Sequence, residues 1–133
     1  MDQATLVADG IGAGQVLIEH LRASAFVVKD AFWAYDPDDD QSYLFLVSPY
    51  VDRHGGRKAY ILVQEVIRRL PSWRERSPLD VKILGAKDLV ARAIAADIES
   101  HSDQQIMLLR YVSGFYRNGV HLKQVWIYPR KTH

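Results

Sequence analysis

Apolar residues near the start of the chain fall at helical spacing: Leu6, Val7, Ile11, Leu17, Ile18 and Leu21 recur every three to four residues, with Gly10 and Gly14 on the same stripe. That pattern predicts an amphipathic helix, weakened by its glycines at about 1 kcal/mol each relative to alanine. From Phe26 to Tyr35 the pattern changes to a run rich in Phe, Val, Trp and Tyr. The run meets Asp-Pro-Asp-Asp-Asp-Gln and resumes as Ser42-Tyr-Leu-Phe-Leu-Val-Ser48. β-Prone residues on both sides of an Asp/Pro turn predict a β-hairpin.

After Pro49 and a polar stretch predicted as a loop, Ala59, Leu62, Val63, Val66, Ile67 and Leu70 match the helical template at every turn. Pro71 cannot continue that helix, and a loop containing Pro78 leads to Leu79-Asp-Val-Lys-Ile-Leu84, a short strand. Gly85 opens another helix, whose stripe is Leu89, Val90, Ala93, Ile94, Asp97 and Ile98, with Ala91, Ala95 and Ala96 adding intrinsic propensity. Ser102 with Gln105 resembles a helix-starting capping box, whereas Leu108 onward has strand character. Asn118-Gly119 is a strong signal for a tight hairpin turn, so Val120 to Tyr128 pairs with the segment ending near Arg117.

The order α-β-β-α-β-α-β-β predicts a single α+β domain over residues 1–133. Its largely antiparallel or mixed sheet of about five strands would be covered by helices on one face. Only Val81 to Ile83 and its neighbours have the helix-flanked context of a parallel crossover.

Length and composition narrow the class without naming a function. A chain of 133 residues has the size of one compact domain, and 48% hydrophobic with 25% charged residues argues against disordered, collagen-like and coiled-coil classes. The absence of cysteine removes disulfides, thiolate metal sites and thiol nucleophiles, and suits a reducing compartment. No apolar stretch approaches the ~20 residues of a membrane helix, and no basic segment with an apolar core marks a secretory leader, so the expectation is a cytoplasmic protein away from the membrane.

Charge does change the picture. The chain is nearly neutral at +1, yet residues 1–52 carry −7, residues 53–87 carry +6 and residues 88–133 carry +2. If the fold keeps these parts apart, a basic face results; if it brings them together, they neutralise one another.

Four motifs compete for a function. Gly10-Ile-Gly-Ala-Gly14, with Asp30 about where a ribose-binding acid would fall, imitates a dinucleotide-binding turn, but the third glycine of that motif would fall on Gln15, so helix-packing glycines are the simpler reading. Asp36, Asp38 and Asp40 imitate the first ligands of a calcium loop, but Gln41 and Val47 stand where that loop needs glycine and glutamate, leaving an ordinary turn. Asp38 with Asp80 and Lys82 suggests a metal-dependent hydrolase or nuclease, although a helix intervenes where such enzymes have adjacent hairpin strands. The fourth is Asp52-Arg53-His54-Gly55-Gly56-Arg57-Lys58, where two glycines and the free amides of a helical first turn could cradle an anion. Cations at a helix N-terminus oppose the macrodipole by up to ~1 kcal/mol each, so something negative is expected nearby.

Arg74 and Arg76 beside Trp73, and the tail's Arg110, Tyr111, Phe115, Tyr116, Arg117, Lys123, Trp126, Tyr128, Arg130 and Lys131, show basic–aromatic interleaving of the kind found on nucleic-acid surfaces and also in ordinary sheets. The five histidines are scattered without metal-ligand spacing, and there is no nucleophile elbow or P-loop. The leading expectation is a binding or regulatory module without catalytic activity and without a cofactor. It would engage an acidic macromolecule, a phosphate group or nucleic acid through Arg53, His54, Gly55, Gly56, Arg57 and Lys58, with Arg74 and Arg76. The alternatives are the hydrolase above and an assembly subunit, such as a homodimer, that exposes Trp33, Trp126 or Tyr128.

Overall fold

The computed structural model describes residues 3–74, 76, 80–101 and 109–130. Helix α1 (Gln3–Arg22) leads into strand β1 (Asp30–Asp36), which turns through residues 37–40 into β2 (Gln41–Val47). Helices α2 (Pro49–His54) and α3 (Gly56–Arg68) and a single 3-10 turn (Pro71–Trp73) carry the chain to β3 (Val81–Leu84). Helix α4 (Leu89–Ser100) then leads to the hairpin of β4 (Arg110–Arg117) and β5 (Val120–Ile127). The strands form one mixed sheet in the order β3-β2-β1-β5-β4, an α+β architecture.

Both hairpins follow from their turns. Asn118 and Gly119 adopt φ of +53° and +79°, as a tight hairpin turn requires, and β4 pairs antiparallel with β5 from Arg110↔Ile127 to Arg117↔Val120. The first hairpin runs in unbroken register from Asp30↔Val47 to Asp36↔Gln41. The parallel pair is β2 with β3, Leu44↔Val81 to Val47↔Leu84, joined by the α2–α3 crossover. The capping box at Ser102 and Gln105, Leu79 and Leu108 at the predicted strand starts, and Lys131 of the tail lie outside the described residues.

The predicted covering of one face needs correction. Ala31, Trp33, Leu44, Leu46 and Val81 pack with α1 and α3 residues such as Leu17, Leu21, Val63 and Ile67 in one core. Phe32, Ala34, Val47, Val125 and Ile127 pack with Ala91 and Ile94 of α4 in a second. Successive strand residues face opposite ways, so α4 covers the face opposite α1 and α3. Small side chains at Ala91 and Ala95 are buried, whereas Leu89, predicted on the buried stripe, is 60% exposed at the start of the helix.

The glycines of α1 are a packing seam rather than a phosphate turn, because Gly10 and Gly14 both lie within the helix. A methyl group on Gly14 would stand 3.1 Å from Tyr128 Cζ and 3.2 Å from Trp33 Nε1. That close approach lets the Tyr128 hydroxyl donate to the Ile11 carbonyl (2.8 Å) while accepting from Trp33 Nε1 (2.9 Å), and lets Trp73 Nε1 donate to the Ala13 carbonyl (3.0 Å). Burial pushes the Tyr128 phenol well up, since ionisation would put a charge in this apolar seam. Trp33 and Tyr128 are therefore core residues, and the exposed aromatic patch predicted for them is not formed.

Candidate functional site

The predicted Arg53–Lys58 loop is instead a break between two helices. Ser48 caps α2 by accepting from the Tyr50 amide (3.1 Å), and Gly55 interrupts the helical path at φ +88°, a value that favours glycine. α3 starts immediately at Gly56 with no side-chain cap, so the amides of its first turn have no side-chain acceptor there. Arg53, Arg57 and Lys58 are exposed, and none of them pairs with a carboxylate among the described residues.

Asp52 and His54 are engaged structurally. The Asp52 carboxylate accepts from the amides of Ala86 (2.7 Å) and Lys87 (3.3 Å), clamping α2 to the turn between β3 and α4. Gly85 makes room for it, since a Cβ there would lie 2.8 Å from Asp52 Oδ1. The His54 ring packs on Tyr50 at 4.5 Å between centroids, and Tyr50 packs on Phe26 at 5.6 Å.

Beyond Phe26 lies a cavity of about 370 Å³ between the α1–β1 connection and the residues after β5. Arg22, Lys29 and Arg130 line it together with Phe26, Val27 and Val28. Arg130 is fixed by a fork on the buried Asp30, with Nε to Oδ1 at 2.6 Å and Nη2 to Oδ2 at 2.9 Å, while Nη1 lies 3.6 Å from Glu99. Its hydrogen bonds to Asp30 raise the Arg130 guanidinium above its usual value, and burial lowers that of Arg22 although Asp30 and Glu19 partly offset it. The sequence marks Arg130 only as one of the tail's interleaved cations and does not group it with Arg22 and Lys29, because the cavity joins residues from the two ends of the chain. The available signal was Asp30 itself, an acid at the head of an apolar strand that needs a partner when buried.

The acidic turn occupies the other end of the sheet. β2 starts at the turn and ends at Val47, next to α2, so its seven residues separate the two charge groups by about 20 Å. The turn is a self-contained network: Tyr35 donates to Asp40, Tyr43 to Asp39, and the Asp38 amide to Asp36 (2.9 Å). Asp40 holds a positive φ of +51°, which aspartate tolerates.

The structure brings Asp80 and Lys82 to this same end, but Asp80 accepts from Gln41 and Lys82 lies 4.2 Å over the Tyr43 ring. Asp38 is exposed on the turn, and among the described residues no three His, Cys, Asp or Glu side chains are placed to hold a metal. The hydrogen bond to Asp39 dominates in raising the Tyr43 phenol to about 12, with Asp36 and Asp80 adding to it.

Arg74 and Arg76 do not join Arg53–Lys58. The 13 residues of α3 run away from Gly56 for about 20 Å before the 3-10 turn. Arg74 is exposed beyond that turn, and Arg76 is half-buried with its Nη1 facing Gly10 of α1. In the β4–β5 hairpin, Arg110 and Arg117 face Asp97 of α4 and only Lys123 remains without an ion pair among the described residues; Tyr111 and Tyr116 are 46% and 77% exposed.

No helix among the described residues is long and apolar enough to cross a membrane. Comparison of the chain with protein-family models, curated proteins and solved structures finds no match.

Proposed function

We propose that the protein is a binding or regulatory module of the cytoplasm that engages an acidic partner, with nucleic acid as the reference polyanion, through its basic end. Arg53, Arg57 and Lys58 and the uncapped first turn of α3 form the contact surface. The observation that carries the reading is the separation of charge: the acidic turn lies about 20 Å from these cations, at the opposite end of β2. The carboxylate nearest in sequence, Asp52, is turned toward the Ala86 and Lys87 amides. The cysteine-free composition is what supports the cytoplasmic part of the reading.

Binding of a single-stranded oligonucleotide as a function of salt tests it. The double charge reversal Arg57→Glu, Lys58→Glu is expected to weaken binding by tenfold or more and to lower the salt slope by about two. Unchanged affinity and slope would remove this surface from the function.

A further inference from the structure

The residues lining the cavity beside Asp30 are distinct from those of the α2–α3 break. Two of its cations, Arg22 and Lys29, make no ion pair among the described residues. The third, Arg130, is already neutralised by Asp30, which holds its guanidinium plane in one orientation at the cavity wall. Among the described residues, no carboxylate lines the cavity. A buried acid–base fork contributes little net stability compared with apolar packing, but it gives an arginine a fixed geometry.

Phe26, Val27 and Val28 give the lining an apolar part. Val27 is 58% exposed, an unusual outlay for a valine on a connection whose neighbours Phe26 and Val28 are buried. Ser24 adds no free group, because its Oγ donates to the Leu21 carbonyl (2.6 Å) and accepts from the Phe26 amide (3.2 Å). At about 370 Å³ the cavity has the size of small-molecule sites.

From this arrangement we infer that the cavity binds a small phosphate monoester: the dianion matches three lining cations that outnumber the one buried carboxylate beside them, Asp30, by two, the Arg130 fork orients it, and its organic part rests on Val27 and Val28. An excess of two cations over the buried Asp30, with Glu19 and Glu99 exposed to solvent, favours a dianion over a carboxylate, which would neutralise only one of them. The apolar part of the lining favours a monoester over inorganic phosphate.

Amide chemical-shift titrations with phenyl phosphate, inorganic phosphate and benzoate test the inference. Phenyl phosphate is expected to saturate at the amides of Val27, Lys29 and Val28, binding about tenfold more tightly than either other anion. Arg22→Gln and Lys29→Gln should each weaken it about tenfold, with Lys29→Gln guarding against a folding defect because Lys29 is exposed. The Arg57→Glu, Lys58→Glu variant should bind it as the wild type does. Absence of saturable shifts at these amides, equal binding of benzoate, or unchanged affinity in both cavity variants would overturn the inference. Each of those results would leave the oligonucleotide experiment on the α2–α3 break untouched, so the two proposals fail separately.

Discussion

A few side chains do work in this molecule that their residue types alone do not announce. Gly14 and Gly12 lie two residues apart on one helix, yet only Gly14 faces the Tyr128 and Trp33 rings, while a Cβ on Gly12 meets nothing within 4 Å. Gly14→Ala is therefore expected to destabilise the fold by about 1–2 kcal/mol, overpacking outweighing the gain in helix propensity. Gly12→Ala should stabilise it by about 0.5–1 kcal/mol. Denaturant unfolding of the two variants gives the comparison, and effects of the same sign would contradict the packing seam.

Tyr43 offers a test by pH. Its folded pKa of about 12 lies above the unfolded value of 10, so the stabilisation from its proton on Asp39 is complete below pH 10 and lost as the pH rises through about 12. The difference between the tyrosinate absorbance titrations of wild type and Tyr43→Phe should show a midpoint near 12; a midpoint near 10 would show that the acidic turn does not hold the phenol.

At the scale of elements, the α2–α3 break depends on Asp52 as much as on Gly55. Asp52→Ala removes the acceptor of the Ala86 and Lys87 amides, and is expected to cost about 1–2 kcal/mol and to speed hydrogen exchange at those two amides. Unaltered exchange there would mean that the clamp is not formed.

The elements themselves were largely legible. Of the stripe predicted from periodicity, Ala59, Val63, Val66 and Ile67 in α3 and Leu70 just beyond it are buried and Leu62 is half-buried, and Asn118-Gly119 turns the second hairpin as its chemistry demands. The two-faced sheet was legible too in principle: Ala31 to Tyr35 is an uninterrupted apolar run, the mark of a strand covered on both sides, whereas a strand with one wet face alternates. The short helix α2 was hidden because its residues Asp52, Arg53 and His54 are polar and the following glycines resemble a loop. The cavity could not be read locally, since Arg130 and Asp30 meet only through the pairing of β1 with β5.

For the whole molecule, only part of the uneven charge along the sequence becomes an uneven charge in space: β2 runs from the acidic turn to Arg53, Arg57 and Lys58, while Lys82 lies at the acidic end. Topology decides this, since the crossover through α2 and α3 starts where β2 ends and returns beside Leu44 at its middle. The same topology splits the predicted site, keeping Arg53, Arg57 and Lys58 with the cavity cations and sending Arg74 and Arg76 the length of α3 away. The most direct measurement is the relaxation of backbone amides by a pair of paramagnetic cosolutes, one cationic and one anionic. The anionic cosolute should enhance relaxation more at Lys29 and at residues 55–58, and the cationic one more at residues 38–41. Equal enhancement by both probes at the two ends of β2 would contradict the separation of charge on which the proposed binding surface stands.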